Sequence, residues 1–523
     1  MNKLTAKDIE LILQNRLKDD KFKTLKSIPP PNNFKDIDKA TKRIIEAINN
    51  NESINLVGDY DVDGVVSTAI MVEFFNLLGV KINYIIPNRF EHGYGLSPLI
   101  LEDIYEGLII TVDNGISAIE AAEICKQRGL DLIITDHHTI GDDLPDAYAI
   151  VNPKQNDCPF PFKDICGAQV AWYLCASIKN ALNFKFNLME FFDLLSLAIV
   201  ADIMPMKSLN HTMVKAGLKT LSNSKRAAIL ALKERFALNN ITEEDIGFKI
   251  APLINCAGRM SDASIALEFL LLNDIQEANY QLDYLVELNE KRKSEQLRMF
   301  EEAKALVDQN DEVIVVASDN WNEGIIGIVA SKLCEKYKKP SIVLSINDTK
   351  VKGSGRSTPS IDLYKLISSC DCLLNGFGGH KQAAGLSIES KNIKQFKNML
   401  NENIKQLSKS DGVIDTNSLG SFCISDINEY LYNTIESYRP FGITNPYPVF
   451  TFNNMEILSL CKIGKNKEFS KLIVSNGINN IEVVIFVDFD LINIGDKINF
   501  NATISKNVFR GEVKFNLLFK DLV

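Results

Sequence analysis

The stretch INLVGDYDVDGVVSTAIMVEFFNLLGVKINYIIP, residues 54–87, decides the fold. Its first four residues form a short apolar run of strand type, Val65 to Leu78 stays apolar over a helix's length, and KINYIIP returns to strand character. Downstream the alternation continues through Pro98 to Tyr105 (read as a helix), LIITV, Ala118 to Arg128, and DLIIT. Strand and helix in turn, at these lengths, predict an α/β fold built on a parallel sheet with helices on its faces.

Between the first strand and the first helix stands Gly58-Asp59-Tyr60-Asp61-Val62-Asp63-Gly64, with a carboxylate at every second position. Acids crowded this closely repel one another unless a cation neutralises them. A calcium loop of the EF-hand type would need a Glu where Ile70 stands and a helix in front, and neither is present. A solvated acidic turn is the plainer reading, but apolar segments on both sides leave it little surface. Two further clusters occupy equivalent places: the LIITV run meets Asp113-Asn114-Gly115, and LIIT meets Asp136-His137-His138. Ligands of open parallel sheets gather at the carboxyl ends of strands, so these three segments are expected in one crevice. A lone histidine such as His211 reads as a packed residue, whereas His137 and His138 follow an acid at a strand end, where imidazole suits ions of the Mn²⁺ class. A fourth acid, Asp202, follows the apolar run Leu194 to Val200. Asp61, Asp63, Asp113, His137 and Asp202 supply enough oxygen and nitrogen for two ions sharing one carboxylate. Two ions about 4 Å apart activate water and stabilise the attacking and leaving oxygens of phosphoryl transfer. There is no G-x-x-x-x-G-K-[ST] loop, which speaks against an ATP-driven motor.

Composition narrows the classes. With 523 residues, the chain has room for roughly three domains. A formal charge of -10 excludes a uniformly basic nucleic-acid coat but permits a local Lys/Arg groove. Met1 to Asp20 mixes charges with short apolar pieces, unlike a signal peptide, and no apolar run nears the roughly 20 residues of a membrane span. The ten cysteines lack zinc or redox spacing and read as reduced, mostly buried thiols, so a cytoplasmic protein away from membranes is expected.

Further boundaries follow from pattern. Residues 1–50 read as a helical lead-in interrupted by Pro29-Pro30-Pro31, and 51–279 as the first α/β domain. Tyr280 to Val307 lacks Gly and Pro and is rich in Glu, Lys, Leu and Gln, predicting a bridging helix over 280–308. A second, smaller α/β domain is expected over 309–407, opened by EVIVVAS. Short strands between Gly and Asn turns predict a small β-barrel over 413–523.

These motifs resemble a known family. GDYDVDG, VDNG, TDHH and ADIMP, in this order, are similar to the four signatures of the DHH phosphoesterases. IPNRFEHGYGL, APLINCAGRM, GSGRS and GFGGHKQAAG resemble those of its bacterial RecJ branch, and the likeness runs from about Asn55 onward. The resemblance implies an exonuclease that uses two Mn²⁺ or Mg²⁺ ions to degrade single-stranded DNA from the 5′ end to mononucleotides, in DNA repair and recombination. It places metals on Asp61, Asp63, Asp113, His137 and Asp202, with Asp59 as a further acid of the set. Asp136 and His138 would sit behind the metals in a catalytic role. Arg89, Arg259, Ser354, Arg356 and His380 would bind DNA phosphates, as their glycine-flanked loops and the Arg fork also suggest. Single-stranded DNA is the implied partner, with a single-strand-binding protein or a helicase as further candidates, acting on a monomer. RPFGITNP, from Arg439, resembles the lead-in to the RecJ OB-fold, with Thr444 where Gly is expected. Lys462, Lys465, Lys467, Lys471, Lys506 and Arg510, with Phe469 and Phe509, fit either a strand-tracking groove or a solvated surface over core aromatics. Removing Arg439 to Val523 is expected to weaken binding to long strands more than hydrolysis of very short ones.

Two rivals remain in view. Phosphodiesterases of nanoRNA or cyclic dinucleotides, and inorganic pyrophosphatases, share the DHH signatures but lack the bridging helix and barrel. A catalytically silent single-strand-binding scaffold would have lost metal acids, and here each is present.

Overall fold

The computed structural model describes residues 3–405, 418–464, 467, 469–486, 493–509 and 512–523. Five strands, β1 (Ile54–Val57), β2 (Asn83–Ile85), β3 (Leu108–Val112), β4 (Leu132–Thr135) and β5 (Ala149–Val151), pair in parallel in the order β2-β1-β3-β4-β5. Their side chains alternate between two cores: Leu56, Ile110 and Ile133 face one, and Val57, Ile109 and Ile134 the other. Burial on both faces explains why these strands read as unbroken apolar runs.

Two helices precede the sheet, α1 (Ala6–Arg16) and α2 (Ile37–Asn49), but only α2 packs on it. α3 (Val62–Leu77) follows β1, and α4 (Ile119–Arg128) covers the opposite face. Pro98 to Tyr105 is not the helix expected. A segment this short does not offset the cost of helix nucleation, and only a 3-10 turn, Ile100–Asp103, forms there. After β5 the domain is helical: α5 (Gly167–Ala181), α6 (Phe192–Ala201), α7 (Ser208–Ser222), α8 (Ala227–Arg235), α9 (Glu243–Asp245), α10 (Ala251–Met260) and α11 (Ser264–Leu271). A π-helical turn, Ile246–Ile250, joins α9 to α10.

The bridging helix α12 (Ile275–Ala305) begins ahead of Tyr280, because the Asp274 side chain accepts the free N–H groups of Gln276 and Glu277. Its first half (Ala278, Leu282, Leu285) belongs to the first core, and Met299 and Ala303 belong to the second lobe. That lobe comprises β6 (Ile314–Ser318), α13 (Ile326–Tyr337), β7 (Ser341–Asn347), β8 (Lys350–Arg356), α14 (Leu363–Ser368), β9 (Leu374–His380), β10 (Ala383–Glu389) and α15 (Ile393–Asn403). Its sheet runs β6-β7-β8-β10-β9, with β6 and β7 parallel and the other pairs antiparallel.

The last domain holds β11 (Ser418–Ser421), α16 (Glu429–Glu436), β12 (Val449–Ile463), β13 (Phe469–Ser475), β14 (Asn480–Ile485), β15 (Lys497–Phe509) and β16 (Glu512–Leu522). The order β12-β13-β14-β16-β15, closed by β15 on β12, makes a barrel around Phe450, Phe452 and Phe500. The residues read as one helical lead-in are divided between domains. Ile9 and Leu13 of α1 enter the barrel core, the Leu4 N–H donates to Ser421 O at 2.9 Å, and Arg16 donates to Pro446 O at 2.5 Å. Nothing in the pattern of α1 could name a partner so distant in the chain.

Candidate metal centre and cleft

The strand order reverses direction between β1 and β3, and the acid clusters stand at the carboxyl ends of the strands at this switch point, where such sheets bind ligands. Asp61 caps α3, its carboxylate accepting the Gly64 N–H at 3.1 Å, which turns the chain so that Asp59 and Asp63 point inward. The N-terminus of α5 fixes Asp63: the N–H groups of Gly167 and Ala168 donate to its two oxygens at 2.6 and 2.8 Å. Gly167 has to be glycine, since a Cβ there would lie 2.5 Å from the Asp113 side chain. Asp113 takes φ 62°, a left-handed conformation that Asp tolerates better than most residues.

From β4, the His137 Nε2 lies 3.2 Å from Asp113 Oδ1 and 3.6 Å from both Asp63 Oδ2 and Asp202 Oδ2. Ligand atoms of Asp63, His137 and Asp202 fall within 4.8 Å of one another, as do those of Asp59, Asp61 and Asp113. Asp113 is close to both sets. Asp202 arrives differently from the strand-end acids, at the C-terminus of α6.

Burial pushes the carboxyls of Asp59 and Asp113 well above the usual range, and neighbouring acids push further in the same direction. Asp202 rises to about 9 for the same two reasons. Burial lowers His137 to about 4, leaving a neutral ring with a lone pair to offer. Asp59 Oδ1, Asp113 Oδ1 and Asp202 Oδ2 are buried without a hydrogen-bond donor. Buried oxygens normally have partners, and divalent cations would supply them here, so the donor set fits such ions.

Asp136 is organised differently. Its Oδ2 accepts the Ile116 N–H at 2.9 Å, and its Oδ1 accepts the N–H groups of His137 and His138 and meets His138 Nδ1 at 2.7 Å. Burial opposes its charge, but the His138 ring and these N–H groups hold its pKa below normal. Burial likewise opposes the His138 cation, yet the Asp136 contact raises that ring to about 9.

A cleft of about 820 Å³ opens between the two lobes. Asp136, His138, Arg89 and Arg259 line it from the first lobe, and Ser354, Arg356 and Lys352 from the second. Arg89 lies over the Tyr60 ring, 4.0 Å from its centroid, with its Nε buried and unpartnered. Arg259 donates to Gly324 O at 3.2 Å across the lobe junction, and burial with neighbouring Arg89 lowers its pKa to about 10. Arg356 donates to Ser354 Oγ at 3.1 Å and Gly355 O at 2.8 Å. His380, at the end of β9, is exposed and outside the lining.

Several residues here were not singled out from sequence. Tyr60 and Tyr94 line the cleft; the Tyr94 hydroxyl lies 3.3 Å from Asp113 O and donates to it. Asn114 donates to Val57 O, Gly58 O and Val112 O and so ties β1 to β3 behind the acids. All three sat inside quoted motifs, where an aromatic or amide gives no separate signal. His211 is packed, as its isolation suggested, with its ring 3.5 Å from Tyr438 O. On the barrel, Lys471 pairs with Glu482 and Lys506 with Glu429, and Phe469 packs on Phe486. Phe469 therefore stands outside the barrel core, against a half-exposed partner. Lys465, Arg510 and the Phe509 side chain lie outside what is described.

Comparison with known proteins follows the same partition. Three families match in succession: the DHH family N-terminal domain over residues 53–199, the DHHA1 domain over 310–406 and the RecJ OB domain over 420–521. The single-stranded-DNA-specific exonuclease RecJ of Bacillus subtilis is 35% identical over 508 residues, covering 94% of this chain and 64% of its own length. The Haemophilus influenzae protein of that name is 32% identical over 482 residues, covering 86% of this chain and 83% of its own. The crystal structure of RecJ in complex with Mn²⁺ from Thermus thermophilus superposes with a TM-score of 0.83 at 25% identity, covering 98% of this chain and 76% of that one. Such agreement along the whole chain, in sequence and in the arrangement of all three domains, means that the chain belongs to the RecJ family.

Proposed function

We propose that this chain is a two-metal phosphodiesterase that degrades single-stranded DNA from the 5′ end. The observation that carries the reading is one cleft with Asp136, His138, Arg89 and Arg259 on its first wall, the acid cluster beside His138 behind that wall, and Ser354, Arg356 and a glycine-rich strand on its second. Mn²⁺ or Mg²⁺ ions, held by Asp59, Asp61, Asp63, Asp113, His137 and Asp202, supply Lewis acidity and an activated water when bound. The RecJ structures from Thermus thermophilus in complex with Mn²⁺ and with Mg²⁺ support both ions.

The protein's own groups do the rest. Arg89, Arg259 and Arg356 grip phosphates through guanidinium forks that match phosphate oxygens. His138, charged through its contact with Asp136, faces the cleft beside the acids and stabilises the scissile phosphate. The glycines of β9 let the backbone approach the strand without side-chain obstruction. His380, exposed beyond the lining, meets the strand outside the cleft. The release of mononucleotides, a role in DNA repair and recombination, action as a monomer beside a single-strand-binding protein or helicase, and a cytoplasmic site belong to the same proposal. Ten free cysteines, seven of them buried, suit that compartment, and among the described residues no helix is long and apolar enough to cross a membrane.

The test is digestion of end-labelled single strands, DNA and RNA, with 5′ or 3′ blocks. Loss of activity on blocking the 5′ end alone is expected. Equal digestion of 3′- and 5′-blocked strands would overturn the polarity, and preference for dinucleotides over long strands would favour the small-substrate rival.

A further inference from the structure

The loop that leads into the barrel, residues 438–445, reaches back to the first domain at two points, and each lies on an arm of the metal centre. On one arm, the Met206 N–H donates to Ile443 O at 2.6 Å, four residues after Asp202. Gly442 lies so near that a Cβ there would be 3.2 Å from Met206 Cβ. Between these points, Pro205 O accepts from Asn210, and Asn210 accepts from Gln169 on α5, the helix whose N-terminus holds Asp63. On the other arm, Arg439 donates to the buried Glu243 at 2.6 Å, and the Phe441 N–H donates to the same oxygen at 2.8 Å. Glu243 opens α9, which runs through the π-helical turn into α10; there Asn255 accepts the Val62 N–H beside the acid loop, and Arg259 enters the cleft. Asn445 stiffens the loop from within, donating to Tyr438 O and Pro440 O.

Resting on the two-metal reading above, we infer that Arg439 is a positioning residue for the metal centre: with Glu243 it seats the barrel loop that sets Asp202, so metal affinity depends on barrel docking. Removing the Arg439 charge leaves the buried Glu243 carboxylate with the Phe441 N–H alone, which works against docking of the loop. Groups hydrogen-bonded to metal ligands are worth roughly 10- to 100-fold in metal affinity, and a support one segment further out belongs at the low end of that range. Truncation from Arg439 therefore removes a support of the metal site together with the barrel, and the loss falls on short strands as well as long ones.

The experiment is Mn²⁺ titration by calorimetry of the full chain, without substrate. Arg439→Gln and the charge-neutral pair Glu243→Gln with Arg439→Gln should each bind Mn²⁺ roughly tenfold more weakly. Gly442→Ala, pressing on Met206, gives the same reading should the ion-pair variants fail to fold. Lys506→Gln, on the barrel wall, should bind as the unaltered chain does. A folded variant at Arg439, Glu243 or Gly442 whose isotherm matches the unaltered chain would overturn the inference, as would an equal weakening in Lys506→Gln. Absence of Mn²⁺ binding by the unaltered chain would instead overturn the two-metal reading itself.

Discussion

At Asp113 three costs meet: a positive φ, complete burial and the proximity of Asp59, Asp61 and Asp63. Without cations these acids work against folding, and with them they would become ligands. Asp113→Asn keeps the shape and tolerates the left-handed backbone. Its hydrolysis should fall to background, and its melting temperature in chelator should rise by roughly 2–4 °C for each kcal/mol of repulsion removed. Mn²⁺ raises the melting point of the unaltered chain by mass action and should raise that of the variant much less. Thermal melts with Mn²⁺ and with chelator measure both effects, and an undiminished Mn²⁺ response in Asp113→Asn would remove Asp113 from the ligand set. For the arginines, Arg259→Ala and Arg356→Ala should weaken binding to every single-strand sequence alike, with a log–log salt slope shallower by roughly 0.7 for each phosphate no longer neutralised. A salt slope equal to that of the unaltered chain would take either arginine off the strand. At this scale the candidate site was largely legible, because alternate-position acids after apolar strands have few other uses. Tyr94 and Asn114 were not, since their roles depend on which backbone atoms the fold brings beside them.

Among the elements, strands buried on both faces announce themselves, and β1, β3 and β4 were readable from composition alone. The segment before Leu108 was not, because an apolar 3-10 turn and a short helix bury the same residues. The Asp202 arm was left open for another reason: its apolar run gives no sign whether the acid caps a helix or ends a strand. The barrel loop carries its own prediction. Thr444 adopts φ 71°, where a β-branched side chain is strained and glycine is free. The side chain is exposed, so Thr444→Gly should stabilise the protein by roughly 0.5–1 kcal/mol, the strain relieved exceeding the entropy that glycine adds to the unfolded chain. Denaturant midpoints decide the matter: an unchanged or lower midpoint would mean that the loop draws no strain from this residue.

Over the whole molecule, α12 spans both cores and fixes the separation of the two walls, so the cleft has a set width and the substrate has to suit it. A single strand enters with its bases free to stack, whereas a blunt duplex has to unpair first. Catalytic efficiency on blunt duplex should therefore be at least about tenfold below that on a single strand of the same sequence, on the order of one lost base pair's stacking energy. Equal rates on the two would refute a fixed cleft. Domain order was legible in sequence; the contacts between domains were not, because Glu243 and Arg439 stand 196 positions apart and neither has a pattern that points to the other. Helix α1 extends this to the limit, with Arg16 bonded to a carbonyl 430 residues later. At a ribosome's pace of about 5–20 residues per second, Ile9 and Leu13 emerge roughly 25 to 100 seconds before the barrel that covers them exists. For that interval the nascent chain carries a helix with an uncovered apolar face, until α1 meets a domain made some 430 residues later.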